Sequence, residues 1–425
     1  MRQSTQHATG STKRWLKALI VTAMLSAAYA AVCHFKLASN SFRNPTNESF
    51  SIYGTDFLCF YSVARLVPAG IPRAYDHEAM WAEQASITSA VGAPNPRYIF
   101  GYPPAVAALL APLGKLPYPG AYYTWMLCSF FLAGIATALV VPVRGPWFRK
   151  LGLSLLIPLG LPFFGSQVLC SGQLSAVAVL IFAAVVALRE RHPFCAGIVF
   201  SLGLYKPPLF AVYALLALLN REWWFLAGAA AGAAVLSAAS LSLFGLEAHE
   251  AFLRVASGYF YGGQLPGGQQ LPPSKGMGLL SACLCLTGSL WVGWVLFALS
   301  AVALVWGHQR FFARRQEHSR DEAASALEQA SRITLSYFVS IQALNYDAAV
   351  LLIPVTLLVT YLLQASLPRV TRSIVTLVAV LLAISGTHDS ENGKAISLAC
   401  GAVGLFWISL LLAKTRARGV ESHAA

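Results

Sequence analysis

Apolar runs of near membrane-spanning length recur from residue 15 to residue 413, broken by short polar stretches. A helix needs about 20 apolar residues to cross a bilayer. The pattern therefore predicts an all-α polytopic membrane protein. The expected spans are 15–35, 120–142, 151–168, 173–188, 194–206, 207–220, 223–244, 276–307, 333–345, 347–363, 373–387 and 395–413, about 12 in all. Both termini then face the inside, with polar tails at 1–14 and 414–425 around one membrane domain, 15–413. Trp15 to Phe35 carries a basic flank and "AYA" at 28–30, so a cleavable signal peptide is the alternative to a first span. On either reading residue 37 onward faces outside.

Residues 37–101 form the longest outer loop and 245–275 a second one. Within the first, Tyr53 to Val67 is aromatic and amphipathic, and predicts a helix lying on the membrane surface. Pro103 to Lys115 is too short to span and predicts a re-entrant or interfacial helix. Three spans are interrupted: "GSQVLCSGQLS" (165–175), "LYKPPLF" (204–210) and "QALNYDAAV" (342–350). All three breaks fall on the outside. Irregular backbone survives at membrane depth only where protein buries it or where it lines a cavity. Together with the first loop, the breaks predict one cavity opening outward.

Composition supports this picture. The 425 residues are 57% hydrophobic and only 11% charged, against about 25% charged in soluble domains. The net charge of +13 invites a nucleic-acid reading, but its distribution opposes one. Inner segments hold 20 of the 30 Lys/Arg and 7 of the 17 acidic residues, so the inside carries the whole excess and the outside none. That is the positive-inside signature. The eight cysteines show no CxxC spacing and read as small buried hydrophobes. No Walker A, GxGxxG, HExxH or GxSxG motif occurs, which removes support for ATPase, dinucleotide, zincin and hydrolase chemistry.

The polar residues left at the outer edge are few. Asp56 has Tyr53, Phe57, Phe60 and Tyr61 as sequence neighbours. Partial burial would raise its pKa towards the range of a general base; the alternative is a helix cap in "GTD". Lys206, before Pro207-Pro208, either snorkels to the interface or offers a fixed cation to a phosphate. Gln173 would bind sugar hydroxyls or satisfy a broken helix end. Tyr102 would stack on a sugar or anchor at the interface. Asn345, Tyr346 and Asp347 put an amide, a phenol and a carboxylate at one break. His249 and the Gly-rich, aromatic loop at 257–275 suggest a flap over the cavity, or a plain linker.

Five stretches, "TDFLCFYSVARLVPAGIPRAYD", "YPPAVAALLAPLGKLP", "GQLSAVAVL", "GLYKPPLF" and "LNYDAAVLLIP", occur in an order that resembles glycosyltransferase family 87 over roughly residues 50–360. That family includes the mycobacterial polyprenol-phosphate-mannose-dependent α-1,2-mannosyltransferases and is similar to the wider GT-C class. The resemblance implies an extracytoplasmic site and a polyprenyl-phosphate sugar as donor. It implies Asp56 as catalytic base, with Lys206, Gln173, Tyr102 and Arg65 on the donor's phosphate and sugar. Asn345, Tyr346, Asp347 and His249 then serve the acceptor or support the site. Nearer relatives of the mycobacterial enzymes carry a histidine where this chain reads Asn345-Tyr346-Asp347.

On this reading the chain inverts a hexose, mannose foremost, onto a lipid or glycan acceptor at the outer face of a bacterial inner membrane. No cofactor is expected, a divalent ion remains open, and the partners are lipids and sugars rather than nucleic acid. The rival is a secondary transporter with an outward-facing polar cavity. A scaffold without catalysis is a third class. Against transport, the ionisable candidates gather at the outer edge and the spans look free of central charges.

Overall fold

The computed structural model describes residues 54–90, 95–141, 168–169, 171–312 and 322–364, with the single positions 154, 158, 404, 406 and 410. The expected spans 15–35, 151–168, 373–387 and 395–413 and both tails lie outside these residues, save for those single positions. Among the described residues all regular structure is helical, with one isolated bridge between Gly276 and Leu344.

The first outer loop is a small helical unit. Helix α1 (Thr55–Leu66) opens at Gly54, whose φ of 64° is a left-handed conformation that glycine adopts without strain. Helix α2 (His77–Ser89) follows two 3₁₀ turns and is capped by Asp76, which accepts from the N–H groups of Glu78 and Ala79. Helix α3 (Pro104–Leu110) runs into a 3₁₀ turn ending at Lys115. The expected surface helix is present as α1, but Phe57, Leu58, Phe60, Tyr61, Val63 and Ala64 are all buried within protein. The aromatic rings that cover them come from distant segments, Phe100, Tyr102, Tyr118, Tyr122 and Trp125.

The bundle beneath comprises α4 (Tyr118–Val140), α5 (Ser175–Leu188), α6 (Pro193–Ser201), α7 (Pro207–Leu219) and α8 (Trp223–Gly258). Then come α9 (Leu279–Thr287), α10 (Leu290–Phe312), α11 (Glu322–Phe338) and, after a 3₁₀ turn at Asn345–Leu351, α12 (Leu352–Gln364). Proline sits in the first turn of α3, α4, α6 and α7, where its missing N–H costs nothing and its fixed φ favours the helix. Helices α6 and α8 approach through Gly197 and Gly228. A Cβ on either would lie 2.0 Å from a carbonyl oxygen of the facing helix, as in small-residue contacts between membrane helices.

Among the described residues three helices are long and apolar enough to cross a membrane: Tyr118–Val140, Trp223–Gly258 and Leu290–Arg310. Their outer faces expose large apolar side chains such as Leu243, Trp291, Leu299 and Trp306, which suits contact with lipid. Several expected boundaries need correction. The single span 276–307 is two helices, split at Gly288, which is left-handed. The span 333–345 is instead the end of α11, which starts at Glu322. Helix α8 kinks at Gly245 (φ 74°, ψ 170°) and continues to Gly258, so the stretch from 245 starts as helix. Its far half packs on the outer unit, with Phe252 against Tyr75.

At one end of α5, α7 and α11 a buried charged network ties the bundle. Arg189 donates to the Tyr213 hydroxyl at 3.0 Å and to Gln329 Oε1 at 2.9 Å, and pairs with Glu222. Arg332, fully buried, donates to Glu222 at 2.8 Å and pairs with Glu328. The expected spans leave Arg189, Glu222 and Arg332 just outside them, among the inner charges; the three are partners inside the bundle, and α11 carries a buried charge.

Candidate active site

At the opposite ends of α5 and α7, Leu174, Val177 and Tyr205 pack with the core of the outer unit. The segment before α5 lies across the start of α1. The backbone N–H groups of Asp56 and Phe57 donate to Ser171 O at 3.1 and 3.0 Å. Trp125 Nε1 donates to Gly172 O at 2.8 Å and the Tyr122 hydroxyl to Leu169 O at 3.1 Å. Gly172 has φ 77°, and a Cβ there would sit 2.6 Å from Phe57 Cβ. The approach thus requires glycine.

This arrangement fixes what Asp56 can do. The cap position of α1 is Gly54, with no side-chain cap bond, and Asp56 stands in the first turn. No side-chain cap bond is made at this terminus, so the Asp56 carboxylate does not cap α1. That carboxylate bonds the Gln173 side chain. Burial pushes its pKa above the ordinary carboxylate value, while the Gln173 hydrogen bond and the Lys275 charge oppose the rise. Gln173 is 5% exposed, and its Oε1 has no hydrogen-bond partner among the described residues. A carboxylate and an unpartnered amide oxygen therefore stand side by side, both acceptors.

Lys206 and Asp347 meet beside them. The Lys206 ammonium donates to both Asp347 oxygens at 2.7 Å, and both residues are buried. Lys206 sits at the hinge between a 3₁₀ turn (Leu202–Tyr205) and Pro207, the first residue of α7. Asp347 Oδ2 also accepts from Leu344 N–H at 2.9 Å. The ammonium lies 4.5 Å from the Tyr346 ring centroid, a cation–π contact. Asn345 Oδ1 accepts from Tyr346 N–H at 2.9 Å.

Tyrosines close the remaining walls. Tyr102 stacks on Tyr205, centroids 6.2 Å apart and planes 13° apart, and is hydrogen-bonded to Tyr346. Tyr75 donates to Tyr102 O at 2.8 Å. The Tyr259 hydroxyl donates to Ile99 O, and a Cβ on Gly101 would strike the Tyr259 ring. Gln342 Nε2 donates to Tyr259 O at 3.2 Å. The loop at 257–275 is thereby pinned at its start, and the Gly276–Leu344 bridge holds the chain just past its end. Tyr259 and Lys275 come from this loop, and Tyr205 precedes Lys206. None had been singled out in the sequence, where only the loop's aromatic, Gly-rich character pointed to them.

Two expected site residues lie elsewhere. Arg65 is at the far end of α1 from Asp56, paired with Glu83 at 2.9 Å and half-exposed. His249 clasps the α8 kink, its Nδ1 2.7 Å from Gly245 O and its Nε2 3.0 Å from Ser240 Oγ. Among the described residues no three His, Cys, Asp or Glu side chains gather closely enough to hold a metal ion.

The sequence model of glycosyltransferase family 87 matches residues 100–336, more than half of the chain. The chain belongs to glycosyltransferase family 87. No curated protein and no solved structure matches it at a significant level. The matched range of this glycosyltransferase holds Tyr102, Gln173, Tyr205, Lys206, Tyr259 and Lys275, while Asp56 precedes it and Tyr346 and Asp347 follow it. Membership and the apolar helices together make it a membrane glycosyltransferase.

Proposed function

We propose that this glycosyltransferase moves a hexose, mannose foremost, from a polyprenyl phosphate to a lipid or glycan acceptor, with inversion, and that Asp56 is the general base. The observation that carries this reading is the Asp56–Gln173 pair: a desolvated carboxylate, oriented by an amide, beside an unpartnered buried acceptor. A ligand satisfying both must bring hydroxyl donors close together, which a sugar does. The tyrosine walls suit stacking on sugar faces.

The chemistry balances with these groups. The Asp56 carboxylate takes the proton from an acceptor hydroxyl as that oxygen bonds the anomeric carbon. The bond from the anomeric carbon to the phosphate oxygen breaks, through an oxocarbenium-like transition state. The lipid phosphate leaves as an anion and needs no proton, only cations to meet its charge. A β-linked donor gives an α-glycoside. The positive-inside charge pattern supports a site on the extracytoplasmic face of an inner membrane, with both termini cytoplasmic. Asn345 and Tyr346 are the groups placed to meet the acceptor.

The test is transfer of radiolabelled mannose from polyprenyl phosphate in proteoliposomes supplied with lipid extract. Labelled product is expected with the wild type. Transfer of equal rate by Asp56→Asn would exclude Asp56 as base.

A further inference from the structure

Resting on the lipid-phosphate donor proposed above, we infer that the two lysines at the site divide their work: Lys275 meets the donor phosphate, and Lys206 is a positioning residue. The reason lies in the partner of each. Lys206 gives two of its three ammonium hydrogens to Asp347, at 2.7 Å each, and the pair is buried and neutral as a unit. A phosphate brought against that ammonium would also face the Asp347 carboxylate and be repelled by it. What the pair does hold is Tyr346, by the ammonium under its ring and by the Asp347 bond to Leu344 N–H at the start of the same turn.

Lys275 has the opposite character. It is exposed, and no carboxylate lies within ion-pair distance of it among the described residues. Its backbone is fixed beside the candidate site. The next residue, Gly276, bridges Leu344, and Met277 N–H donates to Ala343 O at 2.8 Å, directly before the Asn345–Asp347 turn. From there its charge reaches the Asp56 carboxylate.

Other cations of the outer unit are engaged or lie away from the site, Lys115 by the Arg65 end of α1. Arg65 pairs with Glu83 and Arg97 lies over the Trp81 ring. Arg73 and Arg254 line a separate cavity of about 720 Å³ together with Asp76 and Glu247. Among the described residues Lys275 is thus a cation beside the turn with no acidic partner, free to meet the charge that develops as the phosphate leaves.

The experiment uses the full chain in nanodiscs and farnesyl monophosphate as probe, with transfer kinetics alongside. Lys275→Gln is expected to weaken probe binding about tenfold, the loss of one charge-assisted contact, with the melting temperature unchanged and Lys275→Arg recovering most of the loss. The double variant Lys206→Met with Asp347→Leu is expected to bind the probe within about threefold of wild type, yet to lower kcat through the released Tyr346. Equal affinity of Lys275→Gln and wild type overturns the inference. So does a double variant that loses the probe as Lys275→Gln does. If the wild type itself does not bind the probe, the lipid-phosphate donor fails and the division of labour falls with it.

Discussion

Gln173 gives its amide to Asp56 and leaves its carbonyl oxygen without a partner in a buried site. A buried acceptor left unmade costs about 1–3 kcal/mol. That cost is recovered when a ligand hydroxyl arrives, so the pair is tuned to the bound state rather than the empty one. Gln173→Leu removes the donor that holds the Asp56 pKa down. Its pKa then rises further, and the acidic limb of the transfer rate shifts towards alkaline pH. We expect transfer at neutral pH to fall about 10–100-fold, in the range of lost proton-transfer catalysis, and part of it to return at higher pH. A pH–rate profile of the variant against wild type measures this. A uniform loss at every pH would show that Gln173 binds without tuning Asp56.

Asp56→Asn separates chemistry from folding. Loss of a general base costs about 10²- to 10⁴-fold in rate. The stability effect has the opposite sign. Burial raises the Asp56 pKa in the folded state, so the folded chain binds the proton more tightly than the unfolded one. Stability is then greatest below the ordinary carboxylate pKa and falls as pH rises to the raised value, where the charge is buried in full. Asparagine carries no charge and avoids this cost. The variant should lose transfer while its melting temperature at neutral pH stays level or rises. A melting temperature lowered by several degrees would make Asp56 a structural residue.

The same shift governs the wild type. Asp56 must be ionised to accept a proton, so transfer should fall as pH falls through its raised pKa. The acidic limb of kcat/KM is expected above the ordinary carboxylate range and missing from the residual activity of Asp56→Asn. A limb in the ordinary carboxylate range would mean that the empty site does not desolvate Asp56.

Much of this site was legible because polar residues stand out in a chain so apolar. Gln173, Lys206, Tyr346 and Asp347 each sit at a break in an apolar run, where broken backbone needs buried partners, and Asp56 and Tyr102 stand in and beside the first outer loop. The structure brings these six together. What pairs with what was not legible. The ion pair of Lys206 with Asp347 spans 141 positions, and nothing local in "LYKPPLF" or "LNYDAAV" signals it. Arg65 and His249 looked equally available, because a sequence does not show that Glu83 and the Gly245 kink occupy them. Span boundaries failed where one left-handed glycine, Gly288, turns the chain inside an unbroken apolar run. Arg332 escaped notice for a related reason: a charge beside a polar loop reads as solvated until its helix is seen to begin ten residues earlier.

That misread arginine gives the last prediction. Arg332 is fully buried between Glu222 and Glu328, and Arg189 shares Glu222. Helices α5, α7 and α11 each run from this network to the candidate site, so the network sets their mutual register from the end opposite the chemistry. Removing one partner of a buried ion pair strands the other charge and costs about 3–5 kcal/mol. Glu222→Gln leaves two buried guanidinium groups with one fewer negative charge, and Arg332→Met leaves Glu222 to Arg189 alone. The first variant should be the more destabilised, since Glu222 serves two arginines. Both should keep the wild-type acidic limb of the pH–rate profile, because Gln173 lies about 20 Å from Arg189 along α5, a helix of 14 residues. Thermal unfolding in detergent, read with transfer per folded molecule, checks both parts. A shifted acidic limb in either variant would show that the network reaches the carboxylate and does more than hold the bundle.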